Sequence, residues 1–235
     1  MLKTYRIDKY LISVCFASQI GLEKQENQDS IFFGVSNEFF ALSVCDGLGS
    51  APLSATGSAS AAKIMVEQLL SGHFEKGVFK EEWLKQFPED TKKYNTTAKF
   101  VLIGKEEIRL GGIGDGVIAV STNGAITEYA NHGDFSNQTS CIFDLAYDAN
   151  FKDEAVSLSC PSVIMISTDG FSEDIKEDGL EMLMNAARES LQNQKTGEEF
   201  DRSLVELLEN WPNPTNGDDK TVAFILVEEK NERKI

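Results

Sequence analysis

The sequence predicts an α+β domain in which mostly antiparallel sheets are covered by helices. Three observations predict it. Short, apolar, β-prone runs follow one another in meander order. Helical spacing is confined to two blocks instead of alternating strictly with strands. Turn residues separate neighbouring runs at hairpin distances. With 235 residues, 41% of them hydrophobic, the chain can bury a sizeable core. Nothing in the middle reads as a linker, so one domain over 1–235 is expected.

The elements follow in order. Tyr10 to Ser18 is apolar and β-prone. Ile31 to Val35 and Phe39 to Cys45 are strands joined by a turn at Ser36-Asn37. A small-residue stretch from Ser54 to Ala62 runs into Ile64, Met65, Gln68, Leu69 and Leu70, which is helical spacing that stops at Gly72. Between His73 and Thr96 the pattern is weak, with one short helix around Trp83, Leu84 and Phe87 before Pro88. Strands return at Ala98 to Ile103, Glu107 to Gly112, Val117 to Ser121 and Ile126 to Tyr129, the last two joined by the hairpin signal Thr122-Asn123-Gly124. Asn131 to Asn150 is polar and irregular. Ala155 to Ser159 and Val163 to Ser167 read as strands, Gly179 to Gln192 and Glu198 to Trp211 as helices, and Thr221 to Glu228 as the closing strand. A charged tail from Lys230 is expected to fray.

The formal charge of −16 argues against nucleic acid and anionic membranes as partners, since both are met by basic patches. Cys15, Cys45, Cys141 and Cys160 include no close pair of the zinc-binding kind; Cys15 and Cys45 lie in apolar runs and read as core. No signal peptide and no run of 18 apolar residues is visible, so a cytoplasmic protein with reduced thiols is expected.

One arrangement repeats. Ala41-Leu42-Ser43-Val44-Cys45 runs into Asp46-Gly47, Ile113-Gly114 into Asp115-Gly116, and Val163 to Thr168 into Asp169-Gly170; Asn216-Gly217-Asp218-Asp219 leads into an apolar strand. A single Asp-Gly is an ordinary turn, and Asp178-Gly179 reads as one. Aspartates placed repeatedly at the ends of buried strands can converge on one rim, where repulsion and desolvation must be compensated. No Lys or Arg adjoins Asp46, Asp115 or Asp169 in sequence, so divalent cations are the natural compensation. Oxygen ligands suit magnesium, manganese or calcium, and the Gly47 carbonyl is a further candidate ligand. At this point a metal site and a set of unrelated turns both remain open.

The order of the motifs adds a resemblance. Gly21-Leu22 with Asn27-Gln28-Asp29, Val44-Cys45-Asp46-Gly47-Leu48-Gly49, Asn95-Thr96-Thr97, Ile113-Gly114-Asp115-Gly116, Ser167-Thr168-Asp169-Gly170-Phe171 and Gly217-Asp218-Asp219-Lys220-Thr221-Val222 resemble, in family order over residues 21–228, the motifs of the type 2C metal-dependent Ser/Thr protein phosphatases. The short loop from Gly133 to Thr139, with Phe135 and Asn137, resembles the bacterial branch. The resemblance implies two antiparallel sheets packed as a sandwich and flanked by helices, in four layers α-β-β-α. It implies hydrolysis of protein phosphoserine and phosphothreonine by a metal-bridging water, with two or three Mn2+ or Mg2+ ions as cofactors. Asp46 would bridge both metals, Asp169 and Asp218 complete the first site, and the Gly47 carbonyl bind the second. Asp115, with Asp169, would form a weaker third site, and Asp29 and Gln28 would stand behind the ligands. Phosphoprotein substrates, and a cognate Ser/Thr kinase or its targets, are the implied partners.

Departures keep a rival open. Lys24 stands where the family usually carries a phosphate-gripping Arg, and its alternative reading is an exposed loop lysine. Gln28 replaces a Glu common in eukaryotic members, and Leu48 a His proposed there as general acid. His132 is a candidate general acid, with a surface or structural role as its plainer reading. The segment before Asn95 is short, so a flanking helix is expected to be reduced or missing. The rival is a phosphatase-fold binding or regulatory module without turnover. A calcium-binding protein is a second alternative, although the aspartates lack the dense spacing of a 12-residue calcium loop.

Overall fold

A computed structural model describes residues 2–22, 24–130, 139–176, 178–211 and 217–230. Along the chain the strands are β1 (Lys3–Ile7), β2 (Tyr10–Gln19), β3 (Asp29–Val35), β4 (Phe40–Asp46), β5 (Ala98–Ile103), β6 (Glu107–Ile113), β7 (Val117–Thr122), β8 (Ala125–Ala130), β9 (Lys152–Ser157), β10 (Ser162–Ser167) and β11 (Lys220–Glu229). The helices are α1 (Ser54–Leu70), α2 (Lys76–Gln86), the one-turn α3 (Tyr147–Asn150) and α4 (Asp169–Ser172), α5 (Gly179–Leu191) and α6 (Gln194–Glu209). One sheet runs β1-β2-β11-β10-β7-β8 and the other β3-β4-β5-β6-β9, with every pairing antiparallel.

Alternation along each strand sorts side chains into layers. On β5, Ala98, Phe100 and Leu102 join the cluster beneath α1 and α2, while Val101 and Ile103 point into the layer between the sheets. On β11, Ala223, Ile225 and Val227 enter that same middle layer, and Val222, Phe224 and Leu226 pack under α5 and α6. Three apolar layers thus separate four layers of secondary structure, α-β-β-α, as the family resemblance implied. By the same alternation Lys99 falls on the middle-layer side of β5, and it is 4% exposed.

α1 owes its close seat on β3 and β4 to its small residues: Gly57, Ser58, Ala61 and Ala62 are all buried. Gly57 lies so near Tyr94 that a Cβ there would meet the Tyr94 carbonyl oxygen, and its own carbonyl accepts from Trp83 Nε1 at 3.0 Å. The expected turns are present: Ser36 N donates to Phe39 O at 2.8 Å, and Asn123 and Gly124 both hold positive φ, 52° and 84°.

Several elements differ from expectation: α3 and α4 had none, α6 begins at Gln194, four residues before Glu198, and β1, β9 and α2 differ as follows. β1 had no expectation, and β9 starts at Lys152, three residues before Ala155. Both are edge strands that face largely solvent, so neither carries an apolar alternation to read. α2 begins at Lys76, and Phe87 lies just past its end. A flanking helix is therefore present here, anchored by only two buried side chains, Phe79 and Trp83, four residues apart, which is why the pattern looked weak. Asp178 adjoins the start of α5, in line with an ordinary turn. Residues 231–235 of the tail expected to fray, and His132, Gly133, Phe135, Asn137 and Asn216, lie outside the described residues.

Candidate metal centre

Both sheets deliver carboxylates to one rim. Asp46 ends β4 in the five-stranded sheet, and Asp169 follows β10 in the six-stranded sheet. Asp115 sits on the connection that leaves β6 in one sheet and enters β7 in the other. One carboxylate oxygen from each of these three lies within 4.8 Å of the others. The glycines that follow make this approach possible. A Cβ on Gly116 would stand 2.2 Å from the Ser167 carbonyl oxygen, and one on Gly170 would stand 2.1 Å from that of Asp219. These Asp-Gly pairs are therefore places where two backbones touch.

The backbone of Asp46 is gripped by the threonines of Asn95-Thr96-Thr97. Asp46 N donates to Thr97 Oγ1, while Thr97 N and Thr96 Oγ1 both donate to the Asp46 carbonyl, each at 2.8 Å. Gly47 N donates to the Gln28 carbonyl at 3.1 Å, which brings the Gly47 backbone to the same rim. Asp29 lies opposite Asp46 in the β3–β4 register and is 8% exposed. Its Oδ2 accepts from Thr168 Oγ1 at 2.9 Å.

The electrostatics are those of crowded anions. Burial, followed by the charges of Asp29 and Asp169, holds Asp46 well above the usual carboxylate range. Burial, then Asp115, pushes Asp169 up to about 6. Burial also pushes Asp29 up to about 7, against the hydrogen bonds from Thr221 and Thr168. Asp29 Oδ1, Asp115 Oδ1 and Ser167 Oγ are buried with no hydrogen-bond partner among the described residues. Orphaned oxygens beside mutually repelling carboxylates fit a hard divalent cation.

A profile of the protein phosphatase 2C family matches residues 22–209. The chain belongs to this family. Its fold is similar to that of three solved structures. RsbX in complex with magnesium is 17% identical, with 97% of this chain and 100% of that one covered at a TM-score of 0.62. The catalytic domain of the serine/threonine phosphatase PstP in complex with two manganese ions is 16% identical, with 93% and 99% covered at 0.64. The phosphatase domain of SpoIIE from Bacillus subtilis is 12% identical, with 97% and 96% covered at 0.61. No curated protein sequence matches.

In this phosphatase 2C family member the remaining candidate residues divide. Asp218 lies outside both the matched segment and the 4.8 Å triad, although its charge raises the pKa of Asp46 and Asp169. Its Oδ1 is 2.6 Å from Lys24 Nζ, which also donates to Gln28 Oε1 at 3.1 Å. Lys24 is thus a rim cation and not an exposed loop lysine. Burial pulls its pKa down, but the bond and charge of Asp218 outweigh that and raise it. Gln28 Nε2 donates to Ser54 Oγ at 2.7 Å.

Sequence reasoning gave no role to Asp219. It is 2% exposed and accepts Gly21 N at Oδ1 and Gln28 N at Oδ2, both at 2.8 Å, so one carboxylate ties down both ends of the strap that carries Lys24. An Asp-Asp pair before a strand was visible, but not which of the two turns inward. Asp219→Ala is expected to cost about 3–5 kcal/mol by leaving two buried N–H donors orphaned. The urea midpoint should fall with an unchanged slope; an unchanged midpoint would refute the clamp.

No described helix is long and apolar enough to cross a membrane.

Proposed function

We propose that this chain hydrolyses phosphoserine and phosphothreonine monoesters in proteins, with Mn2+ or Mg2+ ions held at the rim of the two sheets. The observation that carries the reading is the convergence of Asp46, Asp115 and Asp169, from both sheets, with buried oxygens that have no hydrogen-bond partner among the described residues. Asp46 would serve both metal positions, with Asp169 and Asp218 on the first, the Gly47 carbonyl on the second, and Asp115 with Asp169 on a third. When bound, the ions would supply a water of lowered pKa as nucleophile and Lewis-acid stabilisation of the phosphoryl oxygens. The protein's own part is positioning. The threonines fix the Asp46 backbone, Thr168 orients Asp29, and Asp219 holds the strap that presents Lys24, whose ammonium would meet the substrate phosphate as a point charge. Asp29 and Gln28 would act from behind, Asp29 beside Asp46 and Gln28 as the support of Lys24. A cognate Ser/Thr kinase or its targets would be the partners. The four cysteines are unpaired, in keeping with a reducing, cytoplasmic setting.

The ion pair of Lys24 with Asp218 favours a second reading, a binding or regulatory module, because it occupies a carboxylate that turnover would assign to metal. Phosphate release from p-nitrophenyl phosphate and from a phosphothreonine peptide, with Mn2+ or Mg2+ and with EDTA as control, separates the two. Metal-dependent release is expected. A folded sample that never turns over with any metal would favour the module, and one that also binds no ions would sink the metal-centre reading.

A further inference from the structure

The stretch Asp218-Asp219-Lys220 contains a charge that the site above does not use. Lys220 opens β11, and its side chain is 7% exposed, where a lysine ordinarily stays in water. Its ammonium donates to the Gly170 carbonyl at 2.5 Å and to Asp174 Oδ2 at 2.7 Å, and the Asp174 side chain is 1% exposed. The centre of the Trp211 ring lies 5.6 Å from Lys220 Nζ, and that ring meets Phe171 edge-on at 5.4 Å. Desolvating both charges is costly, and only close, fixed geometry offsets it. Both contacts of the ammonium belong to the turn that carries Asp169: α4 spans Asp169–Ser172, and Asp174 follows it. Gly170 N donates to Asp169 Oδ1 at 2.7 Å. Gly170 thus holds the rim carboxylate through its N–H and is itself held by Lys220 through its carbonyl. The same glycine lies against the residues that precede β11, since a Cβ on it would stand 2.1 Å from the Asp219 carbonyl oxygen and 3.3 Å from Asp218 Cβ. Beside this contact, Thr168 N donates to the Thr221 carbonyl at 3.0 Å and Thr221 N to Thr168 Oγ1 at 3.1 Å. Lys220 therefore bridges the backbone that carries Asp169 and the backbone that carries Asp218.

We propose that Lys220, paired with Asp174, is a positioning residue for the metal centre: it locks the α4 turn onto the start of β11 and so fixes the spacing of Asp169 and Asp218. This rests on the reading of the rim as a metal centre, in which those two carboxylates complete the first position. Ligands from two separate segments bind an ion tightly when their separation is preset, because otherwise binding energy is lost in ordering them. Partners that hold ligands in place in this way change metal affinity or activity by about 10–100-fold.

Calorimetric titration with Mn2+ on the whole chain tests it, comparing wild type with the double variant Lys220→Met/Asp174→Leu. Lys220→Met alone would strand a buried carboxylate and unsettle the fold, whereas removing both charges leaves apolar groups of similar size that a buried site accepts. Lys220→Gln/Asp174→Asn is the second variant should the first fail to fold. In a folded double variant the affinity for Mn2+ should fall about 10–100-fold. At saturating Mn2+, kcat for p-nitrophenyl phosphate should fall about tenfold with KM held. A purely structural ion pair would move neither quantity once the variant is folded. Unchanged Mn2+ affinity and kcat in a folded double variant overturn the inference. A wild type that binds no Mn2+ at all overturns the metal-centre reading together with it, so the two failures are distinguishable.

Discussion

Asp169→Asn is expected to lower Mn2+-dependent phosphate release by about a hundred- to a thousandfold, while making the metal-free protein more resistant to heat. The two effects have one cause. Under the proposed mechanism the substitution would remove an anionic metal ligand from the position where phosphoryl charge is stabilised. In the metal-free fold, the same carboxylate sits with Asp46 and Asp115 inside 4.8 Å and has its pKa raised to about 6 by burial and by Asp115. An amide removes the charge and keeps an oxygen to accept Gly170 N, which Asp169 Oδ1 now does at 2.7 Å. Relief of about 1–3 kcal/mol at pH 8 follows from about two units of raised pKa, or roughly 3–10 °C in melting temperature for a domain of this size. A purely structural aspartate would behave in the opposite way, losing stability on substitution. Melting curves in EDTA and phosphate-release assays in Mn2+ check the pair. A variant that melts below wild type in EDTA would falsify the crowded-anion account, whatever its activity.

In EDTA, the melting temperature of the wild type should fall as pH rises from about 5 to 8, and Mn2+ should reverse the trend. Asp169, Asp29 and Asp46 all have folded pKa values above the unfolded value near 3.8, about 6 for Asp169 and about 7 for Asp29, each raised first by burial. Between those values the folded chain holds protons that the unfolded chain has released, so each rise in pH favours unfolding. The stability linked to these groups is complete below about pH 4 and is lost as pH passes through 6 and 7. Bound cations replace the protons. At about a hundred times the dissociation constant each ion adds about 2.7 kcal/mol, so two ions should raise the melting temperature by about 10–20 °C. The gain should be larger at pH 8 than at pH 5.5, because ions and protons compete for the same oxygens. A melting temperature that is flat with pH in EDTA, or indifferent to Mn2+, would count against a metal centre.

Much of the architecture was legible because buried strands announce themselves. β4, β5, β10 and β11 are buried along nearly their whole length and read as apolar runs with sharp ends. The edge strands β1 and β9, and the thinly anchored α2, left little signal because solvent accepts any polar sequence on an open face. The chain's acidic ends were equally visible. Asp46, Asp115, Asp169 and Asp218 each stood beside a strand, with Gly after the first three and the order inverted at Asp218.

The sequence by itself determined that several aspartates end buried strands, and that glycines follow three of them. Only the tertiary structure decided which of them meet. Asp115 joins Asp46 and Asp169 because the β6–β7 connection passes from one sheet to the other at their rim. Asp218 instead pairs with Lys24, and Asp219 turns inward to hold two backbone N–H groups. The physical reason is that strand periodicity is a local property, written in residues one and two apart. The distance between charges on different strands is set by how two sheets stack, which no short stretch of sequence contains.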